Sequence, residues 1–345
     1  MYKLLIRPLL FLFPPEKAHK ITLTLLKAAR YIPGCRLLIR LVCKRRGKQL
    51  ERELFGIKFP NPVGIAAGLD KNGECYNDFA NLGFGFMEIG AITPDAQEGN
   101  PAPRLWRLPK DHALVNCMGM NNIGVKAVLQ HLRNDHPNII IGANISKNAS
   151  TPNEDAYKDY SYVMSLLYDF VDFFVVNVSC PNVKDLDRLQ EDGLPKIIEG
   201  VMEVVRYNEV SRPVLLKVSP DMTREQLDRI IHLALINGVD GIVATNTTRS
   251  REGITAKDPS APYMSKGGLS GAPLYAKSLE AVKYIHAQSR GLLPIIASGG
   301  IMTPAQAEEM LDAGASLVEV YTGFIYEGPL FAKRIIRHLK KTRKQ

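Results

Sequence analysis

The sequence predicts an α/β fold: a (β/α)8 barrel of the TIM type with a small N-terminal extension of two amphipathic helices. Three observations predict it. Eight short apolar runs alternate without a break with eight helical patterns over roughly 290 residues, which indicates a parallel sheet, and a closed barrel needs eight units where an open doubly wound sheet does not. Polar residues gather again and again just after the apolar runs. The first fifty residues also differ in texture from the rest, with twelve Lys/Arg against a single acid, Glu16.

The chain has 345 residues, 46% of them hydrophobic, enough for one large domain with an appendage. Its five cysteines are odd in number and show no Cys-x-x-Cys spacing, which speaks against a disulfide framework or a zinc site. The net charge of +9 is unevenly placed. The last thirteen residues carry seven Lys/Arg and no acid, so the 282 residues between the two ends hold 25 bases against 34 acids. An acidic body does not suit a nucleic-acid enzyme, whose basic face should lie beside its chemistry. Basic ends suit an anionic membrane surface.

Residues 1–13 are apolar but are cut by Arg7, Pro8 and then Pro14-Pro15, far short of the roughly 20 residues a bilayer span needs. No signal-peptide cleavage pattern follows. Pro15 opens a helix with Ala18, Ile21, Leu25 and Ala29 on one face. After Pro33-Gly34, a second segment over 35–46 groups Leu38, Leu41 and Val42 and ends in Lys44-Arg45-Arg46. Two short basic amphipathic helices read as an interfacial membrane anchor; the alternative is a helical hairpin packed on the main domain. The division expected is an extension over 1–48 and a barrel over 49–345.

Residues 54–59 read as one arm of a small hairpin. Strands are expected at 62–67, 86–91, 138–144, 172–178, 213–218, 239–245, 292–298 and 317–321. Helices are expected near 74–82, 122–134, 154–169, 194–209, 223–236, 275–289, 303–313 and 329–341, with caps legible at Thr223 and at Thr303-Pro304. The connections 92–121 and 246–273 are long and follow strand C-terminal ends, so they read as lids or binding loops.

The strand tips hold the chemistry. In order they offer Ala67-Gly68 with Lys71, Ala91, Asn144, Asn177 with Cys180 and Asn182, Lys217, Thr245-Asn246-Thr247, Gly300 and Tyr321-Thr322. The long connections add Asn116, Met118, Gly119 and Met120, and also Gly271. Glycines after the last two strands suit a phosphate held on backbone N–H groups. Lys217 closes an apolar run, so it needs a carboxylate partner, a bound anion or a flavin ring. Asn144, Asn177 and Asn246 can meet the alternating N–H and C=O edge of an isoalloxazine or a pyrimidine. Cys180 is the one strongly nucleophilic or basic group in its cluster. No histidine lies near a strand tip, which leaves hydrolase triads and histidine metal sites with little support.

The ordered motifs Ala-Ala-Gly-Leu-Asp-Lys (66–71), Asn-x-Met-Gly-x-Asn-Asn (116–122), Asn-x-Ser-x-Pro-Asn (177–182), Ala-Thr-Asn-Thr-Thr (244–248) and Gly-Gly-Leu-Ser-Gly (267–271) resemble the flavin-dependent dihydroorotate dehydrogenases. The basic N-terminus with Pro-Glu-Lys-Ala-His (15–19) resembles their class 2 branch, which is peripheral on the cytoplasmic side of the inner membrane and reduces quinones. The resemblance implies FMN at the C-terminal mouth and oxidation of dihydroorotate to orotate in pyrimidine biosynthesis, without a metal or nucleic acid. By position, Ala67, Gly68, Lys71, Ala91, Asn144, Asn177, Lys217, Thr245, Gly271, Gly300, Tyr321 and Thr322 would contact FMN. Lys71, Asn116, Met118, Gly119, Met120, Asn177, Asn182, Asn246 and Thr247 would hold the substrate, with Cys180 as the base. Three departures stand out. Cys180 occupies a position where class 2 normally has serine and class 1 cysteine, so fumarate or NAD is the alternative acceptor. Ala91 replaces a usual threonine, and Cys117 and Met120 replace a usual arginine and phenylalanine.

Overall fold

The computed structural model describes residues 2–43, 48–135, 137–179, 193–255 and 261–343. Its strands are β1 (Arg52–Leu54), β2 (Ile57–Phe59), β3 (Val63–Ile65), β4 (Phe86–Ile92), β5 (Leu105–Leu108), β6 (Ala113–Asn116), β7 (Ile140–Ile145), β8 (Phe173–Asn177), β9 (Val214–Val218), β10 (Gly241–Ala244), β11 (Gly268–Gly271), β12 (Ile295–Ser298) and β13 (Leu317–Val320). Eight of them close a barrel in the order β3-β4-β7-β8-β9-β10-β12-β13, every neighbour parallel. Each expected barrel strand is present within a few residues of its expected limits. So is each expected helix, among them Arg224–Asn237 and Pro304–Asp312, whose capping boxes at Thr223 and Thr303 satisfy the first helical N–H groups.

The barrel interior is built in layers because side chains alternate in and out along each strand. At the bottom, Phe86, Phe173, Val175, Leu215, Val243, Ile296 and Leu317 form a closed apolar cluster with Phe59. Phe59 and Phe86 meet edge-on, ring centroids 5.4 Å apart, which suits aromatic quadrupoles. Two glycines make room for this plug. Gly64 pairs in register with Phe86 and Gly142 with Phe173, and a Cβ on either glycine would run into its partner's ring. Two residues up each strand the lining becomes charged at Glu88, Lys217 and Glu319, and above that polar at Asn144, Asn177 and Ser298. The floor is therefore dry and the mouth is wettable.

One expectation needs correction, and several features go beyond the sequence reading. Residues 54–59 are not a single arm: β1 and β2 pair antiparallel with Phe55 and Gly56 as the turn, both at positive φ. The two long connections carry strands of their own, since β5, β6 and β11 form a three-stranded antiparallel sheet over the mouth. The stretch before Pro14 is helical, as a π-type turn Tyr2–Ile6 and a short helix Arg7–Phe11. In the helix Pro15–Ala28, Leu25 is 63% exposed, while Ala18 is buried and Leu23 and Leu26 pack on the core. The second helix, Cys35–Cys43, turns Cys43 and Ile39 inward and exposes Leu37, Leu38, Leu41 and Val42. No helix among the described residues is long and apolar enough to cross a membrane.

Gly142→Ala is expected to destabilise the fold by about 1–3 kcal/mol, the usual cost of overpacking, measured by urea unfolding. Adding Phe173→Leu should recover part of that loss, and an unchanged double mutant would show that the ring contact is not the cause.

Candidate active site

A cavity of about 350 Å3 opens at the C-terminal mouth of the barrel, and every expected site residue among the described ones lines it. Ala67, Gly68 and Lys71 come from the tip of β3, Ala91 and Asn144 from β4 and β7, Asn177 and Lys217 from β8 and β9, and Thr245, Asn246 and Thr247 from the tip of β10. Gly271, Gly300, Tyr321 and Thr322 complete the far wall, and Asn116, Met118, Gly119 and Met120 hang over it from the connection after β6. Cys180 and Asn182 lie outside the described residues.

The floor of the cavity is set by charge. Lys217 Nζ donates to Glu88 Oε2 at 3.0 Å and lies 4.0 Å from Glu319 Oε2, all three side chains being buried. Of the partners the sequence allowed for Lys217, a carboxylate is present, and it is Glu88. From it a chain of amides runs to the rim. Asn144 Nδ2 donates to the same Glu88 oxygen at 3.0 Å, and Asn177 Nδ2 donates to Asn144 Oδ1 at 3.0 Å. Asn246 Nδ2 donates to Asn177 Oδ1 at 3.3 Å and to Ser179 Oγ at 3.2 Å. A carboxylate only accepts, so it orients the first amide, which orients the second and the third. Burial pushes the Glu319 carboxyl well above the usual carboxylate range, and repulsion from Glu88 adds to this, against the opposing pull of Lys217.

The walls are also braced. The tip of β3 is folded back by buried Asp70, which accepts the backbone N–H groups of Glu74 and Cys75 at 2.8 and 2.7 Å, and Lys71 Nζ donates to Asn121 Oδ1 at 2.6 Å. Thr245 and Ser278 share a hydroxyl hydrogen bond at 2.9 Å, as do Ser270 and Thr322 at 2.8 Å. The glycines of the far wall answer first to the protein itself: a Cβ on Gly300 (φ +75°) would come within 2.8 Å of Tyr275 Cβ, and one on Gly271 (φ +97°) within 2.8 Å of Ala113 Cα. The helix Thr322–Glu327 starts at this wall without a side-chain cap. Tyr321 is pushed up to about 12 by burial.

Sequence reasoning missed six contributors. Glu88 and Glu319 sit inside apolar strands, where a single acid is easily passed over. Glu16, His19 and Leu23 line the cavity from the helix Pro15–Ala28, together with Lys20. Their i, i+3, i+4, i+7 spacing was the available signal. Glu16 forms a two-pronged pair with Arg104, at 2.7 and 3.2 Å, that fastens the helix to the loop over the mouth, and burial holds His19 below its usual pKa. Among the described residues no three His, Cys, Asp or Glu side chains cluster as metal ligands.

The sequence profile of the family described as "Dihydroorotate dehydrogenase" matches residues 49–342. A protein of Christiangramia forsetii named dihydroorotate dehydrogenase (quinone) is 46% identical over 336 residues, covering 97% of both chains. One of the same name from Coxiella burnetii is 43% identical, covering 98% of this chain and 96% of its own. Among solved structures, the Eimeria tenella DHODH in complex with ferulenol superposes with a TM-score of 0.85 at 36% identity, over 96% of this chain and 92% of that one. With this likeness running through both the extension and the barrel, the chain belongs to the dihydroorotate dehydrogenases, a family of oxidoreductases.

Proposed function

We propose that the protein oxidises (S)-dihydroorotate to orotate with FMN as its cofactor and a membrane quinone as electron acceptor, in the synthesis of pyrimidine nucleotides. The observation that carries this reading is the cavity itself: one buried cation and three co-oriented amides below, and an uncapped helix start with glycine turns beside them. That donor set fits FMN. Lys217 and the amides of Asn144 and Asn177 would hold the polar edge of the ring, with Ala67, Gly68, Lys71, Ala91 and Thr245 around it. Gly271, Gly300, Tyr321 and Thr322 would hold the phosphate end. When bound, FMN supplies a hydride acceptor for C6 of the substrate and passes the electrons on.

The remaining work falls to side chains of this chain. Asn116, Asn177, Asn246 and Thr247 would present amides and hydroxyls to the pyrimidine ring, Asn182 is added by its place in the family motif, and the Lys71 ammonium would face the carboxylate. Met118, Gly119 and Met120 cover it. Cys180 would take the C5 proton as its thiolate, a role assigned by its place in the family motif. The sheet of β5, β6 and β11 and the helix Pro15–Ala28 exclude water from the mouth.

The extension supports the quinone reading. Leu4, Leu9, Leu12, Leu37, Leu38 and Leu41 are all exposed on it, beside the basic residues of the N-terminus. Such an exposed apolar face suits peripheral seating on the cytoplasmic side of the inner membrane, with quinone reaching the cavity past His19 and Leu23.

Purified protein is expected to be yellow and to bleach when dihydroorotate is added without oxygen. Cys180→Ala should slow bleaching by about 10²–10⁴, the usual share of a general base, while FMN stays bound; Cys180→Ser should be milder. A Cys180→Ala enzyme that bleaches at the normal rate would remove the thiol from the chemistry. Deleting residues 1–48 should abolish reduction of a ubiquinone or menaquinone analogue and spare bleaching; equal quinone turnover with and without the extension would refute its role, and turnover with fumarate or NAD instead would identify a soluble acceptor. Lys217→Met, which strands Glu88 without its cation, should cost about 3–5 kcal/mol in urea unfolding and release FMN.

A further inference from the structure

Three ionisable side chains meet inside the barrel, and the pair Lys217–Glu88 accounts for only two of them. Glu319 comes from β13 on the opposite wall, is 1% exposed, and lines the cavity floor. Neither of its carboxyl oxygens has a hydrogen-bond partner, and its one charged neighbour of opposite sign, Lys217, is 4.0 Å away and already bonded to Glu88 at 3.0 Å. The groups that face it are Glu88 from β4, Lys217 from β9 and the Ser298 hydroxyl from β12. Two buried carboxylates against one ammonium would leave a net negative charge in a place that solvates it poorly. One proton on Glu319 removes that charge. It also supplies an O–H, and Glu88 Oε1 is a buried acceptor without a partner.

We propose that Glu319 is a positioning residue carried as a neutral carboxylic acid, whose proton sets the charge that the Lys217–Glu88 pair presents to the cavity. The flavin part of the proposal rests on the function proposed above. With Glu319 neutral, Lys217 and Glu88 sum to zero; with Glu319 ionised, the cluster is negative and opposes electrons arriving beside Lys217. Ionising Glu319 therefore lowers the midpoint potential of the bound flavin. Folding raises its affinity for the proton, so the folded state also loses stability as pH rises from the ordinary carboxylate range to the titration of Glu319. Glu319→Gln, an uncharged side chain of the same shape, abolishes both effects.

The test uses the full-length protein and the E319Q variant. The infrared spectrum of the wild type at neutral pH should show the carbonyl stretch of a protonated carboxylic acid, absent in E319Q. The flavin midpoint potential should fall further in the wild type than in E319Q through the pH range where that band disappears, by a tenfold or larger change in the reduction equilibrium, about 30 mV for a two-electron couple. From the ordinary carboxylate range up to the pH where the band disappears, the melting temperature of E319Q should rise relative to the wild type. No band at neutral pH, a band that E319Q retains, or parallel potentials in the two proteins would overturn the proposal. If E319Q does not fold, wild type labelled with carbon-13 glutamate answers the question. The band must shift with the label, and a band that does not shift rejects Glu319. A protein that shows the band but carries no flavin would defeat the proposed function and leave the protonation of Glu319 standing.

Discussion

The ion pair between Glu88 and Lys217 is the constraint on which the rest of the mouth depends. It sits one layer above an aromatic floor, where water cannot compensate either charge, so each partner needs the other. Because Glu88 can only accept, its second bond turns the Asn144 amide one way, and the order passes through Asn177 to Asn246 at the rim. A buried pair adds little net stability compared with an apolar core. Its contribution here is direction: three neutral side chains from three strands face the cavity in one defined sense before any ligand arrives. Preorganisation of this kind spares the site reorganisation when substrate binds.

The closure of the site is contributed from far along the chain. The sheet of β5, β6 and β11 joins two connections more than 150 residues apart, with Asn116 Nδ2 donating to the Gly268 carbonyl at 3.3 Å. The extension is tied to this sheet by the Glu16–Arg104 pair and by Arg107, whose guanidinium donates to the Phe13 carbonyl at 2.7 Å. It is tied to the barrel by Arg30, which pairs with buried Asp78 at 2.7 Å. One face of the extension thus belongs to the active-site wall while its other face exposes leucines.

The barrel was legible in the sequence because its strands are buried on both faces and read as apolar runs, and because each run ends in polar residues that an apolar core would not place there. Lys71, Asn144, Asn177, Lys217 and Asn246 could be picked out for that reason, although they are spread over about half of the chain. Glu88 and Glu319 could not, since each is one acid within Phe-Met-Glu-Ile and Leu-Val-Glu-Val, and only the closed barrel shows that both face Lys217. The lid strands are four residues each and their pairing is non-local, so no periodicity announces them. The exposure of Leu25 was not legible, because helical spacing identifies an apolar stripe without telling whether protein or solvent faces it. Around Cys180 the sequence motif alone supports a role.

In the proposed function, one mouth holds a flavin over the Lys217–Glu88 pair and a pyrimidine acid against the oriented amides. A crystal structure of the purified protein with orotate tests it most directly. The ring edge of FMN is expected beside Lys217, and orotate between the Asn177 and Asn246 amides. An empty mouth, or orotate bound elsewhere on the protein, would contradict it.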